Sequence, residues 1–375
     1  MTFVIITHVP HTLQNKQYYA YAPYVREMNV WLQYVDELIL VAPEVANPVS
    51  AIDSAYAHKK IQFLPIASFD VLSLKNIIRS AFKIPKICWR IFSAMRSADH
   101  IHLRCPGNIG LLGCLLQILF PNTPKTAKYA GNWDPVSKQP WTYKLQQWIL
   151  NSTFLTRNMQ VLVYGEWEAT STNILPFFTA TYSESEKVPL LPLDTNSSID
   201  FIFVGALVPG KNPLYAIQLL KNLFLKGFDV RLHLYGEGPE RATLEAYIQE
   251  QQLESIVFLM GNKNVETLKA AYQKSHFVVL PSESEGWPKA IAEGMFWGCI
   301  PLATAVSCVP FMLDYGERGV LLEMDVAQDS VRITTVLQYE LDFNSKRTAA
   351  SNWSRGYTLE VFEEGIRGVL GVKNE

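Results

Sequence analysis

Glu285 and Glu293 are separated by seven residues in the stretch Pro281-Ser282-Glu283-Ser284-Glu285-Gly286-Trp287-Pro288-Lys289-Ala290-Ile291-Ala292-Glu293-Gly294-Met295. An ionised carboxylate accepts several hydrogen bonds, so such a pair suits a ligand rich in neutral hydroxyls and is a poor neighbour for phosphate. Phosphate has its own place close by. The apolar run ending at Leu280 predicts a strand, the following Ser/Glu/Gly stretch a loop, and Pro288 the first turn of a helix. In an open α/β sheet, ligands sit beyond the carboxyl ends of the strands. A helix start there offers unpaired N–H groups and a partial positive charge to an anion. Gly286, Trp287 and Pro288 line that helix start, and Glu293 faces back from its second turn. The chemistry is that of a diphosphate flanked by hydroxyl-bearing rings, such as a hexose and a ribose.

These residues need a sheet to hold them. Apolar runs at Phe3–Thr7, Leu38–Pro43, His100–Leu103 and Met159–Tyr164 predict buried strands in the first half. In the second half, strands at Phe201–Val204, Val230–Tyr235, Val257–Leu259, Phe277–Leu280 and Ile300–Ala303 alternate with helices at 212–225, at Pro239, at 265–273 and at Pro288. Buried strands alternating with helices imply parallel sheets covered on both faces. The pattern lapses at Val188–Ser198, where two prolines precede small polar residues, and the domain boundary is expected there. The expectation is therefore an α/β chain with a domain over 1–188, a second over 197–345, and a helix within 350–375. Two such lobes imply a cleft between them, where ligands usually sit.

With its preceding strand and its G-x-P close, the stretch PSESEGWPKAIAEGMFWGCIPLAT resembles the paired-glutamate motif of the retaining family 4 glycosyltransferases, which have the GT-B fold. The resemblance is close over Phe201–Leu322 and only architectural before it. It implies two Rossmann-like, doubly wound parallel-sheet domains facing a central cleft, with the nucleotide-sugar donor on the second domain and the acceptor on the first. Glu285 would then hold the sugar and Glu293 the ribose. The loop Gly205-Ala206-Leu207-Val208-Pro209-Gly210-Lys211 resembles the family's G-R-L-x-x-x-K, which puts Lys211 against the donor diphosphate, where an ammonium offsets the leaving-group charge. Ala206 stands where the family usually has arginine. Gly236 belongs to a G-x-G-P turn that lets backbone approach a ligand. Gly261 and Asn262 fall where the family lines the base pocket. In the family the final helix crosses back to the first domain.

In the first half, His8 and His11 lie in the loop after the first strand, and His titrates near neutral pH, so an anion-binding or acid/base role is open beside an ordinary loop role. Asn132 and Asp134 follow another expected strand end, with Asp134 a proton acceptor or a turn former. Arg104 follows the same strand-end logic. The segment Leu72–Ser97 holds six basic residues and no acid, and Lys75, Arg79, Lys83, Lys86 and Arg90 recur at helical steps beside an apolar stripe. A basic amphipathic stretch with aromatics suits an anionic membrane surface, and equally a solvated helix face; Pro85 is expected to divide it into two helices.

The bulk composition sets limits. The 375 residues are 49% hydrophobic and 18% charged, which excludes disorder, and the net charge of −2 gives no general basis for nucleic-acid binding. Five cysteines without metal-ligand spacing suggest reduced thiols in the cytoplasm. No signal peptide is expected, and the apolar run Ile109–Phe120 is too short to span a bilayer. No metal or other cofactor is expected. The partners expected are a nucleotide sugar, a glycan or lipid-linked acceptor, and an anionic membrane surface on its inner face. Two readings compete with retaining glycosyl transfer: a nucleotide-sugar epimerase on a related fold, and a catalytically weak nucleotide-sugar binder, suggested by Ala206. A dinucleotide oxidoreductase is disfavoured, since no G-x-G-x-x-G follows the first strand.

Overall fold

The computed structural model describes residues 1–50, 52–67, 74–168 and 170–372, with side chains described from 83 onward in the segment beginning at 74. The chain forms two compact units, Met1–Phe178 with Phe362–Glu375, and Thr179–Val361. The first unit thus ends before the Pro189–Ser198 stretch rather than within it: a proline-rich stretch signals a break in periodic structure, and the packing boundary need not coincide with it.

In the first unit the order is β1 (Thr2–Ile6), β2 (Thr12–Gln14), β3 (Gln17–Tyr21), α1 (Ala22–Trp31), β4 (Glu37–Pro43), β5 (Asp53–Ala55), β6 (Ile61–Ile66), α2 (Leu74–Arg96), β7 (His100–Cys105), α3 (Asn108–Leu116), β8 (Lys125–Tyr129), α4 (Trp141–Leu150), β9 (Met159–Tyr164) and β10 (Ile174–Phe177). The main sheet runs β10-β9-β8-β7-β1-β4-β6 and is parallel throughout. One of its faces, with Val4, Ile6, Ile39, Val41, Leu103 and Val161, packs against α2, α3 and α4 through Ile91, Met95, Ile109 and Ile149. On the other, Trp31 of α1 stacks toward Phe3 and His102.

Three features of this unit depart from the sequence pattern. The loop after β1 turns directly into a small antiparallel sheet, β2-β3-β5, whose short strands TLQ, QYYAY and DSA carry no run of Val, Ile or Leu. Lys128 lies inside β8, fully buried, its ammonium donating to the Phe178 carbonyl at 2.9 Å and lying 4.4 Å from the Tyr164 ring. Helix α2 runs through Pro85 without dividing. A proline inside a helix costs about 3 kcal/mol, which the burial of Ile87, Ile91, Ala94 and Met95 on one face offsets.

The second unit contains β11 (Ile199–Val204), α5 (Pro213–Leu225), β12 (Val230–Tyr235), α6 (Arg241–Glu250), β13 (Val257–Leu259), α7 (Val265–Lys274), β14 (Phe277–Leu280), α8 (Lys289–Phe296), β15 (Ile300–Thr304), α9 (Val309–Met312), β16 (Val320–Leu322), α10 (Val326–Gln338) and α11 (Glu340–Ser354), and α12 (Leu359–Leu370) begins in it. The sheet order β13-β12-β11-β14-β15-β16 is the doubly wound order of nucleotide-binding folds. Pro239 does not open α6. It sits in a turn closed by the Arg241 amide donating to the Gly238 carbonyl at 3.1 Å, and the helix starts at Arg241. The helix expected within 350–375 is α12, and it follows α11, which ends at Ser354.

Candidate functional site

The strand order of the second unit reverses between β11 and β14, whose Phe201 and Phe277 are in register. Loops leaving two such strands diverge to opposite faces and open a crevice at their carboxyl ends. The loop after β11 carries Gly205 to Asn212, and the loop after β14 carries Pro281 to Pro288. Three contacts join them. The Asn212 side chain donates to the Pro281 carbonyl at 3.0 Å, the Glu283 amide donates to the Gly210 carbonyl at 2.9 Å, and Lys211 forms an ion pair with Glu285. Asn212 holds a left-handed conformation, φ 48°, that asparagine tolerates better than most residues. The Glu285 side chain is 8% exposed and that of Lys211 28%, so the carboxylate is nearly enclosed while the ammonium keeps access to solvent.

The Glu285 loop is braced from β15 and α9. The Gly286 carbonyl accepts from the Ser307 hydroxyl and the Cys308 thiol, each at 3.2 Å. Burial pushes the Cys308 thiol up to about 12, and the nearby Glu285 charge adds to this, so the thiol stays protonated and donates. Trp287 and Pro288 are buried. Trp287 stacks on Trp353 with centroids 6.0 Å apart and lies 5.5 Å from Tyr357, so it anchors the start of α8.

Around Gly236 the neighbouring turns pack backbone to backbone. The Gly205 amide donates to the Tyr235 carbonyl at 3.0 Å, the Gly236 amide to the Gly261 carbonyl at 3.1 Å, and the Leu207 amide to the Glu237 carbonyl at 3.0 Å. A Cβ on Gly236 would fall 1.9 Å from the Gly205 carbonyl oxygen. Gly236 is thus required by the turn itself, whatever it meets in a ligand. Gly261 (φ +70°) and Asn262 follow β13 at the same end of the sheet, and Asn262 is exposed.

Glu293 has different partners from Glu285. Its carboxylate accepts from the Thr181 hydroxyl at 2.8 Å and the Tyr272 hydroxyl at 3.4 Å. Burial, and after it the Glu293 charge, pushes the phenols of Tyr272 and Tyr182 upward, which keeps both protonated. A small cavity beside it is lined by Thr181, Tyr182, Trp287, Lys289, Glu293 and Tyr357. Nothing local in the sequence marks Thr181 or Tyr272: Thr181 is separated from Glu293 by 112 positions and belongs to no motif.

The first unit reverses its strand order between β1 and β7. His8 follows β1, and a Cβ on Gly107, after β7, would fall 2.9 Å from its Nδ1, so the two loops meet. Lost hydration and then the Arg104 charge hold the His8 imidazole below its usual range. His11 does not join it. It is fully buried, with Nδ1 bonded to the Val9 carbonyl at 2.8 Å and Nε2 to the Tyr56 hydroxyl at 2.9 Å, so both ring nitrogens are occupied. Burial lowers it to about 4. Arg104 is committed to Glu27 of α1, Nη1 to Oε1 3.1 Å, and lies over the Tyr24 ring. Burial depresses the guanidinium, but Glu27, Tyr164 and Tyr24 outweigh this and raise it. Asn132 and Asp134 build a turn: the Asn132 side chain accepts from the Asp134 amide, and Asp134 Oδ1 from the Val136 amide, both at 2.9 Å. That is the turn role left open for Asp134. Of the basic stripe, Lys83 and Lys86 are exposed and Arg90 half-buried, while the side chains of Lys75 and Arg79 lie outside the described residues. Among the described residues, no three His, Cys, Asp or Glu side chains are grouped to hold a metal ion.

Residues 193–349 match the family described as glycosyl transferases group 1. The chain is 27% identical to the GDP-mannose:cellobiosyl-diphosphopolyprenol alpha-mannosyltransferase of Xanthomonas campestris, over 82% of this chain and 83% of that one. It is 29% identical to the putative colanic acid biosynthesis glycosyltransferase WcaL of Salmonella typhimurium, over 38% of this chain and only 36% of that protein. An uncharacterized glycosyltransferase of Methanocaldococcus jannaschii is likewise matched over 46% of its length, at 30% identity. The fold is similar to Anabaena HepE in complex with UDP, with a TM-score of 0.69 at 12% identity over the whole of both chains. It is also similar to sucrose-phosphate synthase from Thermosynechococcus elongatus, with a TM-score of 0.68 at 16% identity over 99% and 98% of the two chains. The two Rossmann-like units are those from which the GT-B architecture is built.

Proposed function

We propose that this chain, whose residues 193–349 match the family described as glycosyl transferases group 1, moves a sugar from a nucleoside-diphosphate sugar to a glycan or lipid-linked acceptor with retention of configuration, in polysaccharide or glycolipid biosynthesis. The observation that carries this reading is the Lys211–Glu285 ion pair at the strand-order reversal of the second unit. The match to glycosyltransferases over most of the chain supports it.

On this reading each part of the transfer falls to a named group. The diphosphate lies against the start of α8, whose first N–H groups lack helical partners. Lys211 exchanges its carboxylate partner for the diphosphate, and Glu285 is released to accept from the sugar hydroxyls. The bond from the anomeric carbon to the diphosphate oxygen breaks. The acceptor oxygen forms its bond on the same face, and its proton leaves with the diphosphate. Lys211 stabilises the charge developing on that leaving group. Glu293 gives up Thr181 for a ribose hydroxyl. This reading needs no resident metal, because Lys211 and the helix start supply the positive charge, and the rate is expected to be unchanged by EDTA. Asp134 has no part in it. The protein works in the cytoplasm, peripheral on the inner face of the membrane.

Calorimetric titration of UDP, GDP and ADP into wild type and Glu293→Ala tests the donor site. One nucleotide binding selectively, and about 10-fold or more weaker in the variant, is the expected result. No binding of any of the three overturns the reading.

A further inference from the structure

The first unit presents a surface whose composition is unlike the rest of the chain. Between Leu72 and Met159 the sequence carries twelve basic residues and two acids, Asp99 and Asp134; Lys125 and Lys128 are buried and Arg104 pairs with Glu27, while Lys83, Lys86, Lys138, Lys144 and Arg157 are exposed. Helices α2, α3 and α4, which cover one face of the main sheet, contain no acid at all. Helix α3 lies between the other two, touching both. It is almost wholly apolar, and it does not end buried: Leu115 is 44% and, just beyond its last turn, Leu119 is 62% exposed. An all-apolar helix normally lies inside a protein core or a bilayer.

Aromatic side chains border this apolar centre on both sides. On α2, Trp89 is 67% exposed and joins Phe92, which packs on Phe120 at 5.4 Å. On α4, Trp148 is 65% exposed, and Phe154 beyond it is 72% exposed under the guanidinium of Arg157 at 5.0 Å. Lys83 and Lys86 of α2, Lys144 of α4 and Arg157 stand exposed among them. Tryptophan at the border of an apolar patch ringed by cations is the composition of a membrane interface, where the indole ring spans the boundary and each Lys or Arg meets an anionic headgroup. Large apolar side chains exposed together on adjoining helices mark a site for a partner.

We propose that the α2–α3–α4 face docks this unit on an anionic lipid bilayer, with Leu115, Leu119, Trp89, Trp148 and Phe154 entering the interface and Lys86, Lys144 and Arg157 binding headgroups. This rests on the peripheral association proposed above, and it moves the contact from the one basic helix legible in the sequence to three helices. A neutral lipid offers the cations nothing, and a second copy of this chain would place the same cations against each other, so an anionic bilayer is the occupant that satisfies both the charge and the apolar centre.

The test uses the full chain and no sugar donor, so it is independent of transfer activity. Vesicles of phosphatidylcholine alone and with phosphatidylglycerol are co-sedimented with wild type, with Lys86→Glu/Lys144→Glu/Arg157→Glu, and with Leu119→Ser/Trp89→Ser. Circular dichroism and thermal melts establish that each variant is folded. Wild type is expected to prefer the anionic vesicles by at least about 10-fold, the charge reversal to lose on the order of 10²-fold, and high salt to weaken binding. Brominated phosphatidylcholine mixed with phosphatidylglycerol is expected to quench wild-type tryptophan emission more than that of Trp89→Phe/Trp148→Phe. Equal binding to both vesicle types, no binding to either, or a stable dimer in light scattering that Leu119→Ser dissolves would each overturn the proposal.

Discussion

Lys211 and Glu285 are separated by 74 positions and meet as an ion pair where the loops after β11 and β14 run side by side. The sheet order puts these two strands next to each other although three helices and two strands intervene in the sequence. The pair therefore reports the doubly wound topology and the chemistry together. The lysine neutralises a carboxylate that is nearly enclosed, and under the proposed function a diphosphate would compete for that lysine.

Replacing Lys211 by alanine removes the only lysine or arginine ion-paired with Glu285 among the described residues. Transfer is expected to fall by about 10²–10³-fold in kcat, the usual consequence of deleting one charge donor to a leaving group. Lys211→Arg is expected to recover part of this, since the charge returns in a less compact form. Steady-state kinetics with the donor identified by calorimetry measures both. An unchanged kcat in Lys211→Ala would remove the lysine from the reaction.

Gly236 is the most constrained glycine of the loops at the carboxyl ends of the second unit's strands. Alanine there places its Cβ 1.9 Å from the Gly205 carbonyl oxygen, a backbone atom that cannot yield without breaking the contacts among three turns. The expected cost exceeds about 3 kcal/mol, visible in a calorimetric scan as an early transition or as insoluble expression. Gly210 meets nothing within 4 Å in the same test, and Gly210→Ala is expected to melt with wild type.

Acid sensitivity should centre on the first unit. Burial lowers His11 and His100 to about 4 and His102 further, against 6.5 for an exposed imidazole. Between pH 6.5 and 4 the unfolded chain binds these protons and the folded unit does not. Stability is therefore complete above pH 6.5 and lost as the pH falls toward 4, by on the order of 3 kcal/mol each for His11 and His100. Thermal melts from pH 7.5 to 4.5 are expected to show this slope, and His11→Gln, which keeps a polar side chain between Val9 and Tyr56, is expected to flatten it. A parallel slope in the variant would locate the acid sensitivity elsewhere.

The sequence discloses those parts of the site that are local. Leu280 ending a strand, Gly286 in the loop and Pro288 before the helix all lie within one short stretch, and their spacing alone predicts the geometry. The central strands of both main sheets are legible for the same reason, because strands buried on both faces are written as continuous apolar runs, whereas β6, β10 and β16 are not marked and β8 carries Lys125 and Lys128. What is lost is set by topology. Arg104 was placed near a ligand by its strand end, yet Glu27, separated from it by 77 positions, takes it. His11 was a loop histidine until Tyr56 closed over it. Glu293 was assigned a ribose, and its partners Thr181 and Tyr272 carry no signal of their own. The apolar run Ile109–Phe120 was too short to span a membrane, and its significance lies in the two helices beside it. In each case the missing information is which residues the fold brings alongside, and no pattern along one segment encodes that.

Ala206 offers a gain-of-function prediction. It is exposed one residue after Gly205, on the loop that carries Lys211, where the resembling family usually has arginine. A guanidinium there would offer a diphosphate two donors in a fixed fork. Ala206→Arg is expected to tighten nucleoside-diphosphate binding by about 5- to 10-fold at low salt, with the gain shrinking at high salt as an exposed charge contact must. Its effect on kcat separates two cases. A rise in kcat together with affinity means that the wild-type site runs with one cation fewer than the reaction can use, and that turnover is limited by leaving-group charge. Tighter binding at unchanged kcat means that the added charge stabilises bound donor and transition state equally, so that Lys211 and the α8 N-terminus already meet the charge that develops in the transfer.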